Sequence, residues 1–354
     1  MLINSIKIKN FRNIEFLNII PDEKINFLTG NNAQGKTNFI ESIYYCSYFK
    51  SYRTKNILDL IKNGKENSFI NIETYNAGTN NNIKVYIDKN KTKKISLNSK
   101  VPKNREFYKV INTILYYPDE INYLSIYPQF RRNFIDRAIF ITDFDYIDLF
   151  NKYRKCLKQR NILLKNSPSD KEQIDAWKNK LIEFGSIIIK KRMDLIKRIN
   201  EKLKYFSIQQ GENYCLKYND YTYEKIEEDL LERFNRNFSK ELKYGYTIIG
   251  PHSDDIVFKI NDNDIRKYAS EGQKKTFLLN LKLSQIVDYK SVHDDFPIVI
   301  LDDISNELDN NRKDKIIDKF FDNSGQIFIT TTLPVKNLYS NNGIFLFENG
   351  SVIN

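Results

Sequence analysis

Hydrophobic positions along this 354-residue chain change their period several times, and each change marks a change of architecture. Ile6 and Ile8 alternate with Ser5, Lys7 and Lys9, so residues 2–28 read as two or three short strands. Phe39, Ile40, Ile43, Tyr44, Ser47 and Tyr48 then recur at helical spacing. Phe69 to Tyr75 and Ile83 to Asp88 alternate again on either side of the polar turn Asn76–Asn82, and Lys93 to Leu97 completes a predicted meander. From about Asn122 to Phe238 apolar residues return every three or four places, as in Phe130, Phe134, Ile135 and Ala138 or Leu181, Phe184, Ile188 and Met193. Ser167-Pro168-Ser169 breaks that run, predicting an antiparallel pair of long helices with further pieces. After Thr247 strands resume, ending in the apolar runs Pro297–Leu301 and Gln326–Thr330, which suit a sheet covered on both faces. The pattern predicts an α/β core over 1–120 and 246–354, split by a mainly helical insertion over 121–245.

Between the first predicted core strand and its helix stands Gly30-Asn31-Asn32-Ala33-Gln34-Gly35-Lys36-Thr37, a complete G-x-x-x-x-G-K-[ST] loop. A strand feeding a glycine-rich turn into a helix points several backbone N–H groups, and the positive helix end, at one spot. That suits the phosphates of a nucleoside triphosphate. Lys36 is expected to reach the β and γ phosphates and the Thr37 hydroxyl to hold Mg²⁺.

Two later stretches fit the same chemistry. The apolar run Ile298–Leu301 ends in Asp302 and Asp303. The first is the expected Mg²⁺ partner, and the second the carboxylate that orients and deprotonates an attacking water. Ala269-Ser270-Glu271-Gly272-Gln273-Lys274-Lys275 precedes a helical run, so Ser270, Gly272 and Gln273 form a second phosphate-seeking surface. One chain has no need of two such surfaces for one γ-phosphate, whereas two chains facing head to tail do.

Composition narrows the class. No run approaches the ~18 apolar residues of a membrane helix, and Lys7 and Lys9 interrupt any signal core, so a soluble cytoplasmic protein without membrane partners is expected. Cys46, Cys156 and Cys215 are widely separated, which argues against a zinc site or a disulfide framework. The net charge of +11 favours a polyanionic partner. Residues 151–204 alone hold 16 Lys and Arg against 6 Asp and Glu. Lys89, Lys91, Lys93 and Lys94 on the meander and Arg154, Lys158 and Arg160 on the insertion are the candidate contacts to the phosphates of such a partner.

At these residues the chain resembles the bacterial RecF family, related to the SMC-like branch of ABC ATPases. The resemblance spans nearly the whole chain. It rests on Asn10-Phe11-Arg12-Asn13, Asn32 to Asn38, Ser51-Tyr52-Arg53-Thr54, Arg131 to Asp136, Gln159-Arg160-Asn161, Gly250-Pro251-His252, Asp254-Asp255, Leu301-Asp302-Asp303 and Glu307-Leu308-Asp309, in the family's order. It implies an ABC/SMC-like P-loop ATPase core, with Arg12, Asn38 and Asp309 joining the nucleotide site. Thr331, at the place of the ABC switch histidine, would contact the γ-phosphate. It further implies an ATP-dependent homodimer that hydrolyses ATP slowly and binds duplex DNA and duplex/single-strand junctions. Such a protein works with RecR and RecO to help load RecA at gaps. Ser253, Glu271, Asp119-Glu120 and Tyr127 depart from the family pattern.

Two rivals share parts of this pattern. An ABC transporter subunit predicts a compact insert and a switch histidine, both missing here. A non-hydrolysing ATP-gated DNA clamp shares every motif except a working base.

Overall fold

The computed structural model describes residues 1–102, 106, 109–208, 211–218, 221–304, 317–332 and 343–353. In chain order the elements that matter are β1 (Leu2–Phe11), β2 (Ile14–Ile19), β3 (Ile25–Thr29), α1 (Lys36–Tyr48), β4 (Asn67–Asn76), β5 (Thr79–Asp88), β6 (Lys93–Leu97) and β7 (Thr113–Tyr116). There follow α2 (Glu120–Ile126), α3 (Pro128–Thr142), α4 (Tyr146–Asn166), α5 (Lys171–Ile208), β8 (Tyr214–Tyr218) and α6 (Ile226–Tyr244). The chain closes with β9 (Ile256–Ile260), β10 (Asn263–Asp264), α7 (Ile265–Tyr268), α8 (Glu271–His293), β11 (Ile298–Leu301), β12 (Ile327–Thr330), β13 (Gly343–Glu348) and β14 (Ser351–Ile353). Among the described residues no helix is long and apolar enough to cross a membrane.

Two compact units emerge, one from 1–121 with 271–354 and one from 122–270. The first unit holds two sheets. An antiparallel sheet runs β2-β1-β4-β5-β6, and a second runs β14-β13-β3-β12-β11-β7, in which only β14 is antiparallel to its neighbour. α1 lies in the core between them: Phe39, Ile40 and Ile43 are buried with Ile6, Ile8 and Ile70 of one sheet and Ile298, Ile300 and Phe328 of the other. Every residue of β7, β11 and β12 is buried, as the unbroken apolar runs require. Because β3, β12 and β11 are parallel neighbours, the loops leaving their carboxyl ends emerge side by side.

The second unit is built on α4 and α5, joined by the predicted break at Ser167–Ser169; Lys191, far along α5, pairs with Asp143 just before α4, so the two helices run antiparallel. It also has a sheet of its own, β10-β9-β8. Here the structure differs from the expected division at 246. Ile256, Phe258 and Ile260 alternate as a strand but pair with Tyr218, Leu216 and Tyr214, so the chain re-enters the first unit only at Glu271.

Three arginines are fully buried inside this unit. Arg131 pairs both carboxylate oxygens of Asp255 at 2.8 and 2.9 Å, and Arg192 does the same with Asp136 at 2.8 and 2.9 Å. Arg160 donates to Glu241 at 2.7 Å and Thr247 at 2.8 Å, with its guanidinium over the Phe234 ring. His252 is pushed down to about 4 by burial and is therefore neutral. Its Nε2–H donates to the Thr247 carbonyl while Nδ1 accepts from the Tyr153 hydroxyl at 2.6 Å.

Removing one partner of a fully buried pair leaves the other charge uncompensated. Arg160→Ala should lower the free energy of unfolding by about 3–5 kcal/mol. The double change Arg160→Met, Glu241→Gln should recover much of that loss, read from urea unfolding curves.

Candidate functional site

The phosphate loop is formed by backbone geometry before any side chain takes part. Gly30 sits at φ 130°, where a Cβ would lie 2.4 Å from the Phe347 carbonyl oxygen, so only glycine fits against β13. The loop is buttressed from the β13–β14 turn, where Asn349 and Gly350 donate backbone N–H bonds to the side chain and carbonyl of Gln34. Gly35 is the N-cap of α1, and no side chain caps that helix end. Its leading N–H groups therefore face the loop, which is the anion-binding arrangement of a helix start.

Lys36 is largely buried, and its ammonium donates to the carbonyls of Gly30 at 2.6 Å and Asn31 at 2.7 Å. Burial pulls it below the ordinary lysine range, opposed by the nearby carboxylates of Asp303 and Asp302. The three predicted charges thus lie in one electrostatic neighbourhood.

Asp302 follows the end of β11 and is almost entirely buried. One of its oxygens accepts from Thr330 at 2.7 Å and Thr37 at 3.2 Å, the other from Tyr52 at 3.2 Å. Burial lifts its carboxyl above the usual carboxylate range, and the three donors only partly counter that. A threonine hydroxyl beside a carboxylate is a hard oxygen donor set of the kind Mg²⁺ accepts, since that ion is held by one or two protein groups together with phosphate oxygens. Asp303 occupies the left-handed region at φ 49°, with its backbone N–H donating to Thr330 at 2.8 Å. Such a conformation in a non-glycine residue is held in place by its surroundings.

Arg12 is tied to the helix that follows the loop. Its guanidinium binds Glu41 in bidentate fashion at 3.0 and 2.8 Å, and Arg53 and Ser51 bind the same fully buried carboxylate. Asn38 accepts from Arg53 at 2.6 Å and donates to Asn13 at 2.7 Å, and Asn13 donates to the Ala33 carbonyl. These bonds make Arg12 and Asn38 part of the scaffold holding the start of α1. Thr331 donates its backbone N–H to Leu28, and the hydroxyl that reaches Asp302 belongs to Thr330. Tyr52, Thr330 and Glu41 are the site residues that pattern reasoning did not single out. Glu41 carried one signal, a lone acid inside the apolar stripe of a helix.

Ser270 and Gly272 are exposed at the start of α8, and a Cβ at Gly272 would meet nothing within 4 Å. Asp309 lies outside the described residues. Of the basic candidates, Lys89, Lys91, Lys93 and Lys94 are exposed around the β5–β6 turn, Lys89 pairing with Glu66 and Lys93 donating to the Phe49 carbonyl. Arg154 and Lys158 are exposed on α4. Arg160 is not a surface contact: it is fully buried, because its helix position turns it toward Glu241 and Phe234.

Residues 2–349 match the RecF/RecN/SMC N terminal domain family. Over its whole length the chain is 37% identical to the DNA replication and repair protein RecF of Lachnospira eligens, spanning 99% of that protein. The chain belongs to the RecF family. It is also 35% identical to RecF of Geotalea uraniireducens, with both chains covered in full. Among solved structures, this RecF-family chain resembles the recombination mediator protein RecF with ATP at a TM-score of 0.89 and 28% identity, over 99% of this chain and 97% of that one. The Smc head domain from Pyrococcus furiosus shares the fold, with a TM-score of 0.57, 16% identity and coverage of 99% and 95%. The fold is therefore that of the RecF and SMC-head ATPases.

The buried Asp302 carboxylate sets a testable linkage. Its raised value means the folded chain holds that proton more tightly than the unfolded chain. The destabilising charge is therefore absent below about pH 3.8 and grows as pH rises through the folded value. Without nucleotide, Asp302→Asn should melt at a higher temperature than the parent near pH 7, and the gap should shrink toward pH 4 in calorimetric scans.

Proposed function

We propose that this chain is an ATP-gated, DNA-binding ATPase of replication and gap repair that dimerises head to tail over ATP. The observation that supports it best is the convergence of Lys36, Thr37, Asp302 and Asp303 on the loop after β3, together with likeness to a RecF structure that contains ATP.

In this reading Lys36 gives the loop a full positive charge where backbone N–H groups give partial ones. Thr37 and Asp302 would hold Mg²⁺, which when bound would neutralise phosphate charge. Asp303, fixed by Thr330, accepts the proton of an attacking water at its carboxylate. Turnover is slow, and ATP acts chiefly as a switch for dimerisation and DNA binding. The open space at Gly272 supports the dimer. Glycine is less favourable than alanine within a helix. Neither positive φ nor a close neighbour in its own subunit calls for it. A phosphate presented by a second copy would. The relatives are named DNA replication and repair proteins and the solved ones are ascribed to the RecFOR pathway. DNA with duplex/single-strand junctions, RecR, RecO through it, and RecA indirectly are accordingly the proposed partners, in the cytoplasm. Arg154 and Lys158, with Lys89, Lys91, Lys93 and Lys94, are the proposed phosphate contacts.

Lys36→Ala should weaken ATP binding at least about tenfold, the loss of one charge-assisted contact, in a nucleotide-binding assay. Ser270→Arg should keep single-subunit ATP affinity and lose ATP-dependent dimerisation and hydrolysis together. Mixing the two variants should restore at most one composite site per dimer, measured by sedimentation and phosphate release. Normal dimerisation of Ser270→Arg would remove the head-to-tail arrangement.

DNA affinity should fall steeply and log-linearly with salt, with little dependence on sequence. Titrations at several salt concentrations read that slope directly.

A further inference from the structure

We propose that the exposed pair Tyr244 and Tyr246, beside the basic face of α4, is a stacking platform for the unpaired bases of single-stranded nucleic acid. The proposal rests on the DNA-binding reading above and adds to it a place and a chemical class of ligand.

Tyr244 is 54% exposed and Tyr246 51% exposed, yet the two rings lie nearly parallel, 5.8 Å between centroids and 20° between planes. Two adjacent, nearly parallel rings both open to solvent offer faces on which an unpaired base can stack. The pair is held in place from below. Gly245 caps α6 in the left-handed region at φ 72°, which turns the chain so that the residues on either side of it stack. Buried Arg160 bonds Glu241 and Thr247, one on each side of the pair, and Asn161 accepts from the Thr247 N–H at 2.8 Å. The rings therefore stand on a braced turn, so little freedom remains to be lost when a ligand stacks on them.

The charge beside them fits a nucleic acid. Gly245 packs against Lys165 of α4, a Cβ there lying 3.8 Å from the Lys165 Cα. Arg154, Lys158 and Lys165 are four and seven residues apart, on one face of that helix, and all are exposed. Lys243, next to Tyr244, is exposed as well. From Arg233 to Tyr246 the one acid is Glu241, and Arg160 neutralises it. A strip of phosphate-seeking cations leading to a pair of aromatic faces is the combination that tracks a single strand: the cations follow the backbone, and the rings take bases that a duplex keeps stacked inside itself. An acidic peptide would use the cations and leave the rings idle.

The test separates base stacking from backbone charge. Fluorescence anisotropy of the full chain is measured with oligothymidine, with an abasic chain of equal length and charge, and with duplex DNA, at one salt concentration. The parent should bind oligothymidine about tenfold more tightly than the abasic chain, the worth of roughly one stacked base. Tyr244→Ala with Tyr246→Ala should bring oligothymidine down to the abasic level and leave abasic and duplex affinities within about twofold. Equal affinity of the parent for thymidine and abasic chains overturns the platform whatever the variant does, and leaves the DNA-binding reading standing if duplex is still bound. A variant that loses all three ligands alike also overturns the platform. Failure of the parent to bind any of the three overturns both.

Discussion

A single buried carboxylate ties the nucleotide-binding half of this chain together. Asp302 stands just past β11, and its oxygens are reached from the end of β12 by Thr330, from the start of α1 by Thr37 and from the following loop by Tyr52. Four stretches distant in sequence are thereby fixed to within hydrogen-bond tolerance at the carboxyl ends of three adjacent parallel strands. The arrangement costs stability, since burial raises the carboxyl above its usual range even with three donors. A hydrocarbon side chain would pack there more cheaply and could do nothing with phosphate or metal. Strain at Asp303 and the burial of the Lys36 ammonium are further costs at the same place. All three are expected where charges must be pre-positioned for a ligand rather than optimised for folding alone.

Charge elsewhere in the molecule is used inward. Glu41 is completely buried and gathers Arg12, Arg53 and Ser51 around it. Together with the Asn13–Asn38 bond this braces the first turns of α1. In the second unit Arg131, Arg160 and Arg192 each meet a carboxylate and at least one further acceptor within the interior. Breaking one such pair is costly because it strands its partner, even where the intact pair adds little net stability. The consequence for function is that the formal charge of +11 overstates how much arginine the surface offers to a polyanion. What remains outside is mostly lysine, with Arg154 among the exceptions.

The sequence by itself determined those features that rest on short-range rules. The strand-loop-helix of the phosphate loop was legible because glycine positions and helix starts obey local sterics, and β11 and β12 because buried parallel strands must be apolar throughout. The break at Ser167–Ser169 and the paired helices around it were legible for the same kind of reason. Three things needed the tertiary structure. Alternation in Ile256–Ile260 announces a strand without naming its neighbour, and pairing with β8 placed it in the second unit. Arg160 reads as one more basic residue on a helix, and only the packing of Glu241 and Phe234 against it turned it into an internal strut. Arg12 reads as one more cation near the loop, and only the fold shows that Glu41, a buried acid on α1, binds its guanidinium. In each case the deciding term is a contact between residues far apart in the chain, and periodicity carries no information about which distant surface a given face will meet.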